Sequence, residues 1–360
     1  MLSSEKKMLM LILIPLIIML LFTRNVHAQT LTLTLTLNKQ KYTLGETVHI
    51  NGSLYYGTTN LTDALVAIQV NTPSNQPFLV RTRPTGTNIT KNWILEITSI
   101  STVNELGNQA NEFRRGTSVG FDIKIRNNQP SSYNAILIIS ALYPNGVPFY
   151  YYNETHMIPC GVKVMWEGTI PPNGNVNITA TSLIPVPLDA PLGTAVAYAN
   201  LLVAQPMDGG YAYCPEQSVT FQITTGTGGS SYGVSNQSTS QTLGTLSIEG
   251  NYNVTFKLPY IYAKLGNYTV HATAFYEGLP PYLVHVTAIF TLILRGDITG
   301  PEGVPDGKCD ITDVATAALA FGSYPGHPQW NPIVDMNGDD KIDIVDVATV
   351  ASDFGKIAFP

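Results

Sequence analysis

The chain has 360 residues, of which only 12% are charged and 44% are hydrophobic, with 30 Gly, 24 Pro and more Tyr (19) than Phe (12). That length holds two or three domains, and a palette rich in Gly, Pro, Tyr, Thr and Asn belongs to strands and tight turns, which excludes a mainly helical protein. The formal net charge of −6 and the lack of any basic patch exclude nucleic acid as a partner.

The chain opens with Glu5, Lys6 and Lys7, then an apolar run from Met8 to Phe22, then Val26-His27-Ala28 with small residues where a signal peptidase reads. This predicts a signal peptide over residues 1–28, cleaved before Gln29. An uncleaved anchor is the alternative. The run is short for a membrane span and Pro15 interrupts it. No second apolar stretch reaches membrane length, so the expected location is extracellular or at the cell surface.

Thr30–Leu37 alternates Thr with Leu, which predicts a strand with one apolar and one β-branched polar face. Strands are predicted at Val48–Tyr55, Ala64–Val70 and Phe78–Thr82, separated by turn signals. A second set begins near Trp93 and includes Ser118–Arg126, Ala135–Tyr143, Val162–Gly168, Val176–Thr181, Ala195–Val203 and Val219–Thr224. Residues 226–243 are Gly-, Ser-, Thr- and Gln-rich and read as a flexible linker. Strands resume at Tyr252–Leu258, Tyr268–Tyr276 and Leu283–Leu294. In an oxidising compartment Cys160 and Cys214, in one candidate domain, are expected to pair, leaving Cys309 as a small buried hydrophobe. Eight N-x-Ser/Thr sequons, at Asn51, Asn60, Asn88, Asn153, Asn177, Asn236, Asn253 and Asn267, fit a glycosylated surface.

The stretch Lys41-Tyr-Thr-Leu-Gly-Glu-Thr-Val-His-Ile-Asn-Gly52 resembles the start of macroglobulin-type, immunoglobulin-like surface domains. Asn253-Val-Thr-Phe-Lys-Leu-Pro259 and Leu265-Gly-Asn-Tyr-Thr-Val270 resemble their second half. The resemblance implies one discontinuous β-sandwich, residues 29–91 plus 244–294, interrupted by an inserted sandwich over 92–225 that is similar to adhesion-type domains. Three consecutive small β units are the rival reading.

The acidity is local. Residues 29–294 hold 13 acidic and 12 basic side chains, whereas residues 295–360 hold 11 acidic and 4 basic. The same segment repeats itself: Asp310-Ile-Thr-Asp-Val-Ala-Thr-Ala-Ala-Leu-Ala-Phe-Gly322 matches Asp343-Ile-Val-Asp-Val-Ala-Thr-Val-Ala-Ser-Asp-Phe-Gly355 at nine of thirteen positions, with an offset of 33. In the second copy Asp335, Asn337, Asp339, Asp343 and Asp346 stand at places one, three, five, nine and twelve of a twelve-residue loop, and Lys341 at place seven offers its carbonyl. Such a ring of oxygens suits calcium, a hard cation. Place six, normally Gly, is Asp340. The first copy fits only with a five-residue insertion. Asp297 and Thr299 then supply places one and three, and Asp306, the carbonyl of Lys308, Asp310 and Asp313 supply the rest. A helix is predicted after each loop, on the spacing of Val314, Ala318 and Phe321 and of Ile344, Val347, Ala348, Ala351 and Phe354. His327-Pro-Gln-Trp-Asn-Pro332 excludes an entering helix.

Two such loop–helix halves joined by a Pro/Trp connector resemble dockerins, in particular archaeal dockerin-like C-termini. The resemblance implies two Ca²⁺ ions and a cohesin-like β-sandwich partner, read by Ile311-Thr312 and Ile344-Val345. Docking on the chain's own sandwich, or on that of a neighbouring copy, is the alternative, and a glycan or surface-layer contact remains open. The overall expectation is a mainly β chain: two Ig-like β-sandwich domains, one inserted in the other, and a small α-helical calcium-binding module over 295–360. No catalytic constellation is present, and Glu154, Glu167 and Asp189 read as surface charges. The expected function is a secreted, non-catalytic binding or adhesion protein. The alternatives are a self-assembling subunit using Thr30–Leu37, an accessory of polysaccharide degradation, and a glycan-active enzyme.

Overall fold

The computed structural model describes residues 30–86, 92–153, 156–225, 250–277, 282–301 and 303–359. The signal peptide, the 226–243 linker, Asn88, Asn236 and Glu154 lie outside these residues. The chain is mainly β.

The first sheet is built on Thr47–Tyr56, which pairs with Leu31–Leu33 on one side and Asn251–Lys257 on the other. Alternation buries Val48, Ile50 and Leu54 completely and leaves the intervening residues half-buried. The second sheet runs in the order Lys41–Thr43, Leu283–Ile293, Gly266–Phe275, Leu65–Asn71, Pro77–Pro84. The two sheets enclose one core in which Tyr42, Phe78, Tyr252, Phe256, Tyr268 and Phe290 are fully buried or nearly so. Residues 30–86 and 250–293 thus share both sheets of one sandwich.

Among the described residues, strands between Leu95 and Thr224 pair only among themselves. One sheet joins Asn175–Pro185, Ser118–Asn127 and Leu95–Val103. The other joins Val162–Ile170, Tyr133–Leu142, Gly193–Leu202, Gln217–Thr224 and Glu112–Arg114. Phe121, Phe149 and Phe221 fill the core between them.

The sandwiches meet on their outer faces. Leu65–Asn71 is buried along its whole length, because Val66, Ile68 and Val70 face the first core while Ala67 lies with Val80, Ile136, Ile138 and Leu202 in a separate apolar cluster between the sandwiches. The junction also holds ionic contacts. Arg81 grips Glu216 with its Nε (2.9 Å), the Thr82 amide donates to the same carboxylate (2.9 Å), and Tyr198 lies 3.4 Å under the guanidinium. Pro77–Pro84 is a sheet edge, and this contact covers it: the Val80 amide donates to Ser140 Oγ (3.1 Å).

Two expectations are corrected. Thr30–Leu37 is not one continuous strand. It breaks into Leu31–Leu33 and Thr36–Leu37, both paired with Thr47–Tyr56, because Tyr252 Oη donates to the Thr34 carbonyl (2.7 Å) across Gly52. A β-carbon on Gly52 would overlap both the Thr34 carbonyl and the Tyr252 hydroxyl. Nor do Cys160 and Cys214 pair. Both are free and buried in the inserted core. The Cys160 amide bonds the Phe149 carbonyl (3.0 Å), whereas Cys214 packs beside the backbone of Ile97. Each fills a different site as a small hydrophobe, and burial pushes both thiols up to about 12.

Candidate metal centre

Two short helices, α1 (Ile311–Leu319) and α2 (Ile344–Ser352), follow the repeated loops. They start alike. Asp310 and Asp343 sit as N-caps at φ/ψ of −122/−164° and −123/−165°, accepting from the amides of Thr312 and Val345 (2.7 Å each). Asp313 and Asp346 return the bond to the cap amides at 2.8 Å each. The buried stripe is Asp313 and Ala317 in α1 and Asp346 and Val350 in α2. Of the residues expected on the inner face, Val314 and Val347 are half-buried, whereas Ala318, Phe321, Ile344, Ala348, Ala351 and Phe354 are exposed, because each helix ends before its Phe and the inward positions are held by Asp313 with Ala317 and by Asp346 with Val350.

The loops share one hydrogen-bond plan. In the second, Asp335 Oδ1 accepts from the amides of Gly338 (2.8 Å) and Asp339 (3.2 Å), and Oδ2 from Asp340 (3.0 Å). Asn337 Oδ1 accepts from the Asp339 amide and Asp339 Oδ1 from the Lys341 amide, both at 3.0 Å. Asp346 Oδ1 closes the loop on the Met336 amide (2.8 Å). In the first, Asp297 accepts from Asp306 (3.1 Å) and Gly307 (2.7 Å), and Asp306 from Lys308 (3.1 Å). Asp313 closes on Ile298 (2.8 Å) and Thr299 (2.9 Å). Asp297 therefore stands to Asp306 and Gly307 as Asp335 stands to Asp339 and Asp340, with five more residues between places one and five of the first loop. At place six Gly307 has φ +85° and Asp340 φ +62°, so an aspartate adopts the left-handed turn that glycine takes in the other copy.

Asp313 and Asp346 are buried, 1% and 0% exposed. Among the described residues neither is paired with Lys, Arg or His; each is held by backbone amides alone. Burial raises the pKa of Asp297, and the charges of Asp313 and Asp306 add to the rise against its two amide bonds. Among the described residues no group of three or more His, Cys, Asp or Glu is gathered closely enough to hold a metal. The carboxylates as placed turn to backbone amides. The donor set is all oxygen, which fits calcium and not a soft transition metal.

The halves interlock. Cys309 at place eight bonds Lys356 O (3.0 Å) and accepts from Gly355 (2.8 Å), while Ile342 at place eight bonds Ser323 O (3.0 Å) and accepts from Gly322 (2.8 Å). Each loop thus pairs with the chain just past the other copy's helix. Cys309 is buried, its Sγ 3.3 Å from the Val350 carbonyl. Ile311, Thr312, Ile344 and Val345 are all exposed.

Some features were not legible beforehand. Asp353 and Lys356 form a buried ion pair (2.6 Å), Asp353 also accepts from the Gly296 amide (2.9 Å), and Ala358–Phe359 forms a strand. Asp353 and Lys356 have no acidic or basic counterpart 33 residues earlier, where Ala320 and Ser323 stand. Of the sequons, Asn60, Asn177 and Asn267 are exposed, whereas Asn51 and Asn253 face each other across two strands, Asn253 Nδ2 donating to Asn51 Oδ1 (2.5 Å). Asn153 lies in the strand Tyr150–Asn153. Glu167 and Asp189 are exposed.

No family model and no curated protein matches the chain. Among solved structures it is similar to the Pseudomonas fluorescens alkylpurine DNA glycosylase AlkC bound to DNA containing an abasic site analog, at 9% identity and TM-score 0.26, over 38% of this chain and 32% of that one. It is similar to the C-terminal domain of wzt at 9% identity and TM-score 0.28, over 37% of this chain and 75% of that one. It is also similar to trypsin-activated alpha-2-macroglobulin from Escherichia coli at 8% identity and TM-score 0.20, over 74% of this chain and 22% of that one. The match spans about a third of the glycosylase's length. At these TM-scores the likenesses carry no assignment of function.

Proposed function

We propose that the chain is a secreted or cell-surface, non-catalytic binding protein whose residues 295–360 bind two calcium ions as a dockerin-like module. The observation that carries this reading is the pair of buried carboxylates Asp313 and Asp346, which have no Lys, Arg or His partner among the described residues and each close a loop of oxygen side chains. A buried charge is retained in proteins when it is paired or coordinates a metal. Asp335, Asn337, Asp339, the carbonyl of Lys341, Asp343 and Asp346 would hold one ion. Asp297, Thr299, Asp306, the carbonyl of Lys308, Asp310 and Asp313 would hold the other. The ion supplies the positive charge that lets the carboxylates share a small volume.

The exposed positions of Ile311, Thr312, Ile344 and Val345 support a protein partner at the helix starts. A cohesin-like β-sandwich is the partner the dockerin resemblance implies. Titration calorimetry with Ca²⁺ tests the ion reading, with two sites in the wild type and one in Asp346→Asn as the expected result; no heat of binding in either refutes it. Capture of a β-sandwich partner in calcium, its release in EGTA, and loss of capture by Ile344→Asp then test the tether.

A further inference from the structure

Residues 356–359 lie between the first loop and the sandwich of residues 30–86 and 250–293. On one edge, the Ala358 amide donates to the Gly307 carbonyl (2.8 Å), Lys308 bridges to Ile357, and the Cys309 amide donates to Lys356 O (3.0 Å). On the other, the Tyr262 amide donates to Ile357 O and the Leu265 amide to Phe359 O, both at 2.6 Å, and Ala358–Phe359 runs parallel to Ala263–Lys264. Residues 356–359 are thus hydrogen-bonded along both edges, to the first loop on one side and to Tyr262–Leu265 on the other. Their side chains extend the contact. Phe359 stacks with Tyr152 (5.5 Å) and Tyr262 (6.4 Å), and Tyr152 lies on Tyr262 at 4.1 Å, so the hairpin strand Tyr150–Asn153 of the inserted sandwich joins the same stack. Lys356, paired with Asp353, sits 5.1 Å over the Tyr260 ring.

The first loop's contribution to this strand is Gly307, Lys308 and Cys309, its places six, seven and eight. A β-carbon on Gly307 would come 2.6 Å from the Ala358 carbonyl, so the tail lies directly against the turn that shapes the loop. Among the described residues the second loop makes no hydrogen bond to either sandwich: the segment that its place eight, Ile342, pairs with is Gly322–Ser323, which makes no hydrogen bond to Tyr262–Leu265.

We infer that residues 356–359 are a latch through which ion occupancy of the first loop, and not of the second, fixes the module to both sandwiches. The inference rests on the calcium reading above. With the ion bound, residues 306–310 hold one backbone path and present a regular edge to the tail. Without it, Asp297, Asp306, Asp310 and Asp313 repel one another, the edge loosens, and the tail leaves Ala263–Lys264. Binding would then convert a swinging module into one held against the sandwich.

Hydrogen exchange at the Tyr262 and Leu265 amides of the full chain reads the latch, with calcium alone as the probe. Both amides should exchange at least tenfold faster in EGTA than in saturating calcium. In calcium, Asp297→Asn should speed them at least fivefold more than Asp335→Asn, its second-loop counterpart control. Phe359→Ala should free the same amides in calcium while calorimetry still counts two ions. Equal exchange with and without calcium in a protein that binds two ions overturns the latch and leaves the calcium reading standing. So does equal loss in the two loop variants, or unchanged exchange in Phe359→Ala. Absence of any calcium binding overturns both.

Discussion

Asp340 occupies a left-handed turn, φ +62°, where the other copy has Gly307 at +85°. Left-handed backbone costs a residue with a β-carbon, and aspartate tolerates it better than most. Asp340→Gly therefore removes strain and one charge from a crowded loop, and should raise the apo module's stability by about 0.5–1 kcal/mol, seen as a higher urea midpoint. Glu216 is the opposite case, an acid in the right place. Burial by itself would raise its pKa, but the charge and hydrogen bonds of Arg81, with Arg83 and the Thr82 amide, outweigh that and hold it below the ordinary glutamate value. Burial likewise opposes the charge on Arg81, and Glu216 overcomes it, so that its pKa is raised. Since the folded pKa of Glu216 lies below the unfolded one, its stabilisation is complete above the unfolded value of about 4.3 and is lost as the pH falls through the folded value. Glu216→Gln strands a buried guanidinium and should cost about 3–5 kcal/mol at neutral pH. Urea titrations of the two proteins should converge only as the pH falls through the folded pKa of Glu216, below the unfolded value of about 4.3, where the wild type loses the same charge.

At the scale of elements, short range and long range divide. The strand Thr47–Tyr56 follows from its alternation, but the break between Leu31–Leu33 and Thr36–Leu37 follows from Tyr252, some two hundred residues on. Gly52 is the point where the two meet. Gly52→Ala places a methyl where the Thr34 carbonyl and the Tyr252 hydroxyl already lie. It should destabilise by about 3 kcal/mol, the upper end of overpacking costs, and Tyr252→Phe in the same background should recover part of the loss. A thermal melt of the single and double variants checks this. The helices carry their own start signal, Asp310…Asp313 and Asp343…Asp346. Their inner faces were less legible, because a nine-residue helix has room for few inward positions and the acid at its third residue takes one of them.

At the scale of the molecule, charge and junctions dominate. Residues 295–360 hold 11 acidic and 4 basic side chains, so the apo module opposes its own folding. Calcium at a hundred times its dissociation constant would add about 2.7 kcal/mol per site, and EGTA should lower the module's melting temperature accordingly. Part of that loss should return when salt is raised to about 1 M, where the Debye length falls to roughly 3 Å. Calorimetric scans in calcium, in EGTA, and in EGTA with salt give the comparison; a module indifferent to all three would contradict the ion reading. The sandwich junction, with Ala67, Val80, Ile136, Ile138 and Leu202 around the Arg81–Glu216 pair, should remain closed in every one of these conditions at neutral pH.

What the sequence by itself determined is local. Alternation over six to ten residues marks Ser118–Asn127 and Gly266–Phe275 as strands, because a period of two reports which face is buried. The 33-residue offset and the oxygen spacing are visible for the same reason: the donors of one loop lie within 12 residues in the second copy and 17 in the first, close enough to count. The tertiary structure decided everything that depends on partners far along the chain. Arg81 and Glu216, 135 residues apart, carry no mutual mark in the sequence. Cys160 and Cys214 share a domain without meeting, since sharing a core does not bring two sulfurs into bonding geometry. The tail strand Ala358–Phe359 is two residues long, too short for any period, and exists only because Gly307–Cys309 and Tyr262–Leu265 offer backbone partners on either side.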